Sequence, residues 1–148
     1  MSEKPVPRVD TSSAPYWRGS AEGRLLLQRC TGCDHVQFYP RLVCTGCGVR
    51  ELVWTESSGR GAVRTFTVIR RAVSPAFEAD VPYVVALVVL DDGPTMMANL
   101  VDCDPNVVSI GQRVRVVFER RGEVVLPQFT PEHAGGTISV DENGRARQ

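Results

Sequence analysis

Cys30-Thr31-Gly32-Cys33 and Cys44-Thr45-Gly46-Cys47 repeat one tetrapeptide, with ten residues between Cys33 and Cys44. Two sulfurs three positions apart on a tight turn can face one ion, and two such turns complete a tetrahedral four-sulfur set. Thiolates in that geometry select zinc, with an iron site of the rubredoxin kind as the alternative. Four protein ligands leave no open coordination position, so the spacing predicts one structural ion per chain. Gly32 and Gly46 hold the same slot in the two turns, where a positive φ is expected. A ribbon this small has little core, so the metal is expected to supply its folding energy.

The remaining chemistry-bearing residues form no catalytic set. His35 lies two residues after Cys33, but the sulfur set is complete without it, and it reads as a solvated loop histidine. His133 sits in the C-terminal tail and reads the same way. Cys103 stands between Asp102 and Asp104, whose charges disfavour a thiolate, so it reads as a plain buried or loop cysteine. Asp91-Asp92 precedes Gly93-Pro94 and reads as a solvated turn. There is no nucleophile elbow, phosphate-binding glycine loop or zinc-protease helix signature.

The elements that must position the cysteines follow from length and pattern. The chain has 148 residues, 43% apolar and 23% charged, which suits one domain or two small modules sharing a core. Seventeen basic residues, sixteen of them Arg, balance seventeen acidic ones; this weighs against duplex DNA as a partner. The longest apolar run, Tyr83 to Leu90, is eight residues, against the ~20 a membrane span needs. No signal segment opens the chain, so a soluble cytoplasmic protein with thiols or metal ligands in place of disulfides is expected.

Residues 1–13 read as a flexible arm and 14–29 as a short helical segment leading into an extended stretch. Residues 30–57 read as the ribbon with Trp54 as an anchor, 58–130 as a strand-rich barrel, and 131–148 as a flexible tail. Strands are predicted over 62–71, 83–90, 95–101, 112–120 and 123–126, the second apolar on both faces. Five strands with uneven connections suit a Greek-key barrel of the OB type, with a sandwich or SH3-like barrel on the same evidence. The fold class expected is mainly β: a helical segment, a rubredoxin-like ribbon, then the barrel.

The order of phrases carries a resemblance. The chain runs Pro15-Tyr16-Trp17, Gly23–Cys33, Phe38-Tyr39-Pro40-Arg41, Cys44–Gly48, Trp54, Ser58–Ala72, Pro82–Pro94, Ala98–Asp104, Ile110–Glu119 and Leu126–Phe129. Over residues 14–130 it resembles the zinc-ribbon/OB-fold family once catalogued as a domain of unknown function, whose members accompany thiolase-like enzymes. The resemblance implies a non-catalytic accessory subunit of an acyl-CoA complex that cleaves or forms C–C bonds. The implied partner is a thiolase-fold catalytic subunit, in an α2β2 assembly, or in some systems a hydratase-fold one. It carries over only the four metal-binding cysteines, Cys30, Cys33, Cys44 and Cys47.

A coenzyme A thioester as ligand brings phosphates, which arginine forks suit, and an adenine, on which an aromatic can stack. The candidates are Arg29, Arg41, Arg70 and Arg71 with Phe38 or Tyr39, grouped around the ribbon and the first barrel strand. Trp17 and Phe77 are the aromatic candidates for a partner interface, with packing as the alternative. Two other classes compete. Zinc ribbons and OB barrels also bind single-stranded nucleic acid, but eight Arg against eight acidic residues between Arg60 and Leu126 give no basic surplus. A stand-alone acyl-CoA hydrolase would need the nucleophile–base pair that the sequence lacks.

Overall fold

The computed structural model describes residues 3–132. Helix α1 (Ala14–Ala21) carries Pro15 in its first turn, where a missing N–H costs nothing. The turn before it is fixed by Asp10, which accepts from Ser13 N–H at 2.8 Å while Asp10 N–H donates to Ser13 Oγ at 3.2 Å. Gly19 lets the next strand lie close; a Cβ there would stand 2.6 Å from Leu26 Cγ. The helix buries Tyr16 and Ser20 and gives way to the ribbon strands β1 (Leu26–Cys30), β2 (Val36–Gln37) and β3 (Leu52–Glu56). β1 is central, antiparallel to both neighbours. The segment around Trp54, read from the sequence as an anchor of the ribbon, is therefore its third strand, with Trp54 opposite Gln28.

The barrel follows as β4 (Arg60–Ile69), β5 (Tyr83–Leu90), β6 (Thr95–Leu100), β7 (Arg113–Arg121) and β8 (Val124–Pro131), with a short 3₁₀ turn, Pro75–Phe77, between β4 and β5. The strands close in the order β4-β5-β6-β8-β7, β7 returning to β4. This is the mainly β architecture expected from the pattern. A register shift between Val63 and Thr65 bulges β4 against β5, the kind of bend that lets a sheet curl. Closure between β6 and β8 is thinner: one parallel pair, Leu100 with Phe129.

A single core joins both parts. Tyr16, Leu25 and Leu27 from the helix and ribbon stalk pack with Val63, Val84, Val88, Leu90, Val114 and Phe129 from the barrel. Beyond the predicted end at Leu126, β8 continues to Pro131 and places Phe129 in the core at 0% exposure. Pro127 hid this, because proline within a run signals the end of a strand; here it sits in β8 opposite Phe118. Strand β5 alternates fully buried Val84, Ala86, Val88 and Leu90 with half-buried Tyr83, Val85, Leu87 and Val89.

Residues 3–13, expected as a flexible arm, lie against the barrel. Lys4 Nζ is 2.6 Å from Asp80 and 5.8 Å from the centre of the Phe77 ring. Among the described residues no helix is long and apolar enough to cross a membrane. Of the tail read at 131–148, Pro131 ends β8 and Glu132 N–H donates to Arg113 O at 2.9 Å, while the rest, His133 included, lies outside the described residues.

Candidate metal centre and the adjoining groove

The four sulfurs of Cys30, Cys33, Cys44 and Cys47 all lie within 4.8 Å of one another. Cys30 and Cys47 stand 3.6 Å apart and Cys33 and Cys44 3.7 Å apart. A tetrahedron with metal–sulfur bonds of ~2.3 Å has edges of about 3.8 Å, so these two pairs already stand at the spacing a zinc cage needs. Cys30 and Cys44 are buried, and Cys33 and Cys47 are exposed.

The two turns are built alike, bond for bond. Cys30 N–H donates to His35 O at 2.9 Å and Cys44 N–H to Val49 O at 2.8 Å; Cys30 O accepts from Asp34 N–H and Cys44 O from Gly48 N–H, both at 2.9 Å. Gly32 N–H points at Cys30 Sγ and Gly46 N–H at Cys44 Sγ, each at 3.3 Å. Such N–H donors stabilise thiolates, which is the form a metal needs.

The positive φ expected at Gly32 and Gly46 falls two residues later, at Asp34 (60°) and Gly48 (80°), where each turn closes. The shared slot of the two glycines has another cause. A Cβ on Gly32 would lie 3.3 Å from Val49 Cγ2, and one on Gly46 would lie 3.2 Å from His35 Cγ. Each turn thus makes room for the residue that closes the other. His35 is exposed, and its Nε2 is 3.1 Å from Thr45 Oγ1, so it ties the turns together from outside the sulfur cage.

Two buried glutamines, which the sequence reading passed over, shape the loop between the turns. Gln28 and Gln37 are cross-strand partners on β1 and β2, 5% and 4% exposed. Gln28 grips Arg41 from both sides, accepting its N–H at 2.8 Å and donating to its carbonyl at 2.9 Å. Gln37 donates to Gln28 Oε1 at 3.0 Å and to Val43 O at 3.2 Å, and accepts Thr45 N–H at 2.9 Å. A polar residue at an inward position of an otherwise apolar strand, in Leu25-Leu26-Leu27-Gln28, was the available signal.

The gripped loop presents Phe38, Tyr39, Pro40 and Arg41 along a groove of ≈ 660 Å³ between ribbon and barrel. Trp17 from α1, Phe77 from the 3₁₀ turn, Tyr83 and Val85 from β5, and Met97 from β6 line the same groove. Its aromatics are in contact: Trp17 with Tyr16 (4.9 Å between ring centres), Tyr16 with Phe38 (5.5 Å) and Phe38 with Tyr39 (4.3 Å). Burial, with Tyr39 adding a smaller effect, pushes the Tyr16 phenol well up, so it stays neutral.

Five sequence candidates (Trp17, Phe38, Tyr39, Arg41 and Phe77) therefore meet in one groove. The other three stand apart from it. Arg29 is 3.5 Å from Asp34 and borders a smaller cavity with Val36, Thr55 and Asp92. Arg70 donates to Asn106 at 3.2 Å, and Arg71 is exposed just past the end of β4.

The Asp91–Asp92 turn does more than meet solvent. Asp91 takes both forks of Arg113, at 2.8 and 2.6 Å, and that pairing lowers its pKa. Asp92 accepts Ser57 Oγ at 2.5 Å, joining ribbon to barrel. Burial, then Asp102 and Asp104, push the Cys103 thiol up, against a nucleophilic role.

Comparison with known proteins places this geometry. Residues 17–53 match the family described as the ChsH2 rubredoxin-like zinc ribbon domain, and residues 54–119 match the ChsH2 C-terminal OB-fold domain. The chain is 38% identical over 106 residues to a DUF35 domain-containing scaffold protein of Pyrococcus furiosus, covering 71% of this chain and 76% of that one. It is 34% identical over 129 residues to a probable enoyl-CoA hydratase alpha subunit of Thermomonospora curvata; the match takes in 86% of this chain but spans only 40% of that protein's length. Among solved structures, a chain of the Ltp2-ChsH2(DUF35) aldolase superposes with a TM-score of 0.76 at 33% identity, covering 85% of this chain and 98% of that one. With its four-cysteine zinc-ribbon site leading into a closed five-stranded barrel, the chain belongs to the DUF35 zinc-ribbon/OB-fold family.

Proposed function

We propose that the chain is an accessory subunit of an acyl-CoA enzyme, without catalytic activity of its own, whose partner is a thiolase-fold subunit acting on C–C bonds of acyl-CoA thioesters in an α2β2 assembly. The observation that carries this reading is the likeness to the DUF35 chain of an aldolase, which runs over 98% of that chain. The zinc ion, held by Cys30, Cys33, Cys44 and Cys47, serves as a crosslink that keeps the Phe38–Arg41 loop in place.

In the same reading the groove helps to hold the coenzyme. Arg41 supplies a fork for phosphate, on a backbone fixed by Gln28, and Phe38 and Tyr39 supply faces for adenine. Trp17 and Phe77 border the partner. Arg29, Arg70 and Arg71 lie on other faces, so any contact they make with coenzyme needs a surface of the partner as well.

The test is a pull-down of the tagged chain from lysate of its native host, followed by mass spectrometry. A near-stoichiometric thiolase-fold protein supports the proposal, and Arg41→Ala in the recovered complex should then weaken acyl-CoA binding severalfold. Recovery of a hydratase-fold protein instead supports a second reading, which the Thermomonospora curvata relative's name favours. Recovery of RNA or replication proteins would replace both with single-strand nucleic-acid binding.

A further inference from the structure

The barrel is closed at one end of the β6–β8 seam and open at the other. β6 meets β8 only at Leu100 and Phe129. Next to that pair the seam is bridged by side chains: Asn99 N–H donates to Gln128 Oε1 at 2.8 Å, and Gln128 Nε2 reaches Asn99 Oδ1 at 3.4 Å. Beyond the bridge, the two strands part around the groove, which Met96, Met97 and Ala98 line from β6, and Leu126 and Pro127 from β8.

The parting leaves a strand edge unpaired. In an antiparallel ladder alternate residues turn their N–H and C=O toward opposite neighbours. Asn99 N–H turns away from β5, toward Gln128, so the N–H and C=O of Met97 turn the same way. Among the described residues neither group of Met97 has a hydrogen-bond partner, and Pro127 across the gap has no N–H to give. Sheet edges are ordinarily guarded by lysine, inward charge or proline on the edge strand itself. β6 reads Thr95-Met96-Met97-Ala98-Asn99-Leu100 and has none of these. Around its open edge stand apolar groups in solvent: Met97 at 57% exposure, Val73 at 76% and Tyr39 at 46%.

An uncharged edge with apolar flanks is a template for strand addition, in which backbone bonds supply affinity and flanking pockets supply selection. Of the groove's three arginines, Arg121 is paired with Glu119 and Arg41 is given above to the coenzyme, which leaves Arg8 to select the sign of the incoming segment. Arg8 has no carboxylate within 4.0 Å among the described residues, whereas Asp10, the groove's one carboxylate, already accepts from Ser12 and Ser13.

We infer that the open edge of β6 receives an extended segment of the partner polypeptide, apolar toward Met97 and Val73 and carrying a carboxylate for Arg8. The identification of the occupant as the catalytic partner rests on the accessory-subunit reading; the edge itself does not. Arg41, given above to a coenzyme phosphate, lies in the same groove, so the docked segment would run beside the nucleotide end of the coenzyme.

Met97→Pro is the discriminating variant. It removes only the outward N–H, leaving the β5 ladder intact, and proline is tolerated on an edge strand. Met97→Glu guards the edge by a charge that also opposes an acidic segment, and serves where the proline variant does not fold, as judged by circular dichroism and zinc content. The full zinc-loaded chain is titrated with a fluorescein-labelled peptide of four Val-Glu repeats and with its Val-Lys counterpart. The wild-type and variant chains are also used as baits in host lysate.

The expected result is saturable binding of the acidic peptide alone, weakened at least tenfold by either Met97 variant and by Arg8→Glu, with the partner lost from the variant baits. A partner held equally by wild-type and variant baits overturns the proposal. Where the wild-type bait recovers no partner, the peptide decides. Variant-sensitive binding then keeps the edge site while the accessory-subunit reading falls, and no saturable binding overturns the edge site itself.

Discussion

Single residues hold the ribbon in ways that can be separated. Cys44 lies buried in the cage, accepting Gly46 N–H at 3.3 Å, and its loss leaves three sulfurs around the ion. Cys44→Ser is expected to abolish stoichiometric zinc at neutral pH, read by metal analysis of the purified chain. Gln37 acts one layer out. Replacing it with Leu removes its bonds to Thr45 N–H and Val43 O in the exposed part of the loop. A typical hydrogen bond contributes about 0.5–1.5 kcal/mol, so denaturant unfolding should show a loss of that order with zinc still bound.

Asp10 gives a pH-dependent case. The hydroxyls of Ser12 and Ser13, then the N–H of Ser13, hold its carboxyl down to about 2 from the ordinary 3.8. A lowered carboxyl pKa stabilises the fold above the ordinary value, and the effect is lost as pH falls toward 2. Asp10→Ala should therefore melt earlier than wild type at pH 7, and the gap should narrow below pH ~4, as followed by circular dichroism.

Strands and turns show where sequence reading reaches. The four cysteines and the strand at Tyr83–Leu90 were legible because spacing and alternation are local signals. The short helix before the ribbon was legible too, from the apolar anchors Tyr16 and Trp17. Three features were not, each because its cause lies elsewhere in the chain. Strand β8 passes through Pro127 because its partner is β7 and its cover is the helix. The Gly32 and Gly46 slot is set by Val49 and His35 across the cage, not by local φ. The groove exists because Gln28 and Gln37 pull the Phe38–Arg41 loop over a barrel seam, a contact no local pattern encodes.

Gly61 makes the same point at the start of the barrel. A Cβ there would sit 2.4 Å from Val89 O on the neighbouring strand, against backbone that cannot yield. Gly61→Val should therefore prevent β4 and β5 from pairing at their mouth. The expected outcome is loss of cooperative unfolding, seen as broadened thermal transitions, even with the metal site intact.

At the scale of the whole molecule the question is whether ribbon and barrel stand or fall together. They share one core: Leu25 and Leu27 from the stalk are 2% and 1% exposed and pack with Val63, Val114 and Phe129. Deleting the Phe129 ring should therefore cost about 3–5 kcal/mol and loosen both parts at once. The metal, in contrast, holds a region with little apolar burial. Between Cys30 and Glu51 the buried residues are Cys30, Gln37 and Cys44, two of them ligands and one a hydrogen-bond clamp. Without the ion, four sulfurs within 4.8 Å lose the bond that offsets ordering the loop.

Chelation should thus free the amides from Thr31 to Leu52 to exchange, while β4–β8 keep their protection. Leu25–Gln28 should show intermediate behaviour, since they belong to the barrel's core as much as to the ribbon. Hydrogen exchange with mass spectrometry, before and after metal removal, reads all three zones. Uniform deprotection would mean that the barrel depends on the ion through the shared stalk. Unchanged exchange across Thr31–Leu52 would mean that the glutamine clamps hold the loop without it, and that the groove does not need the metal.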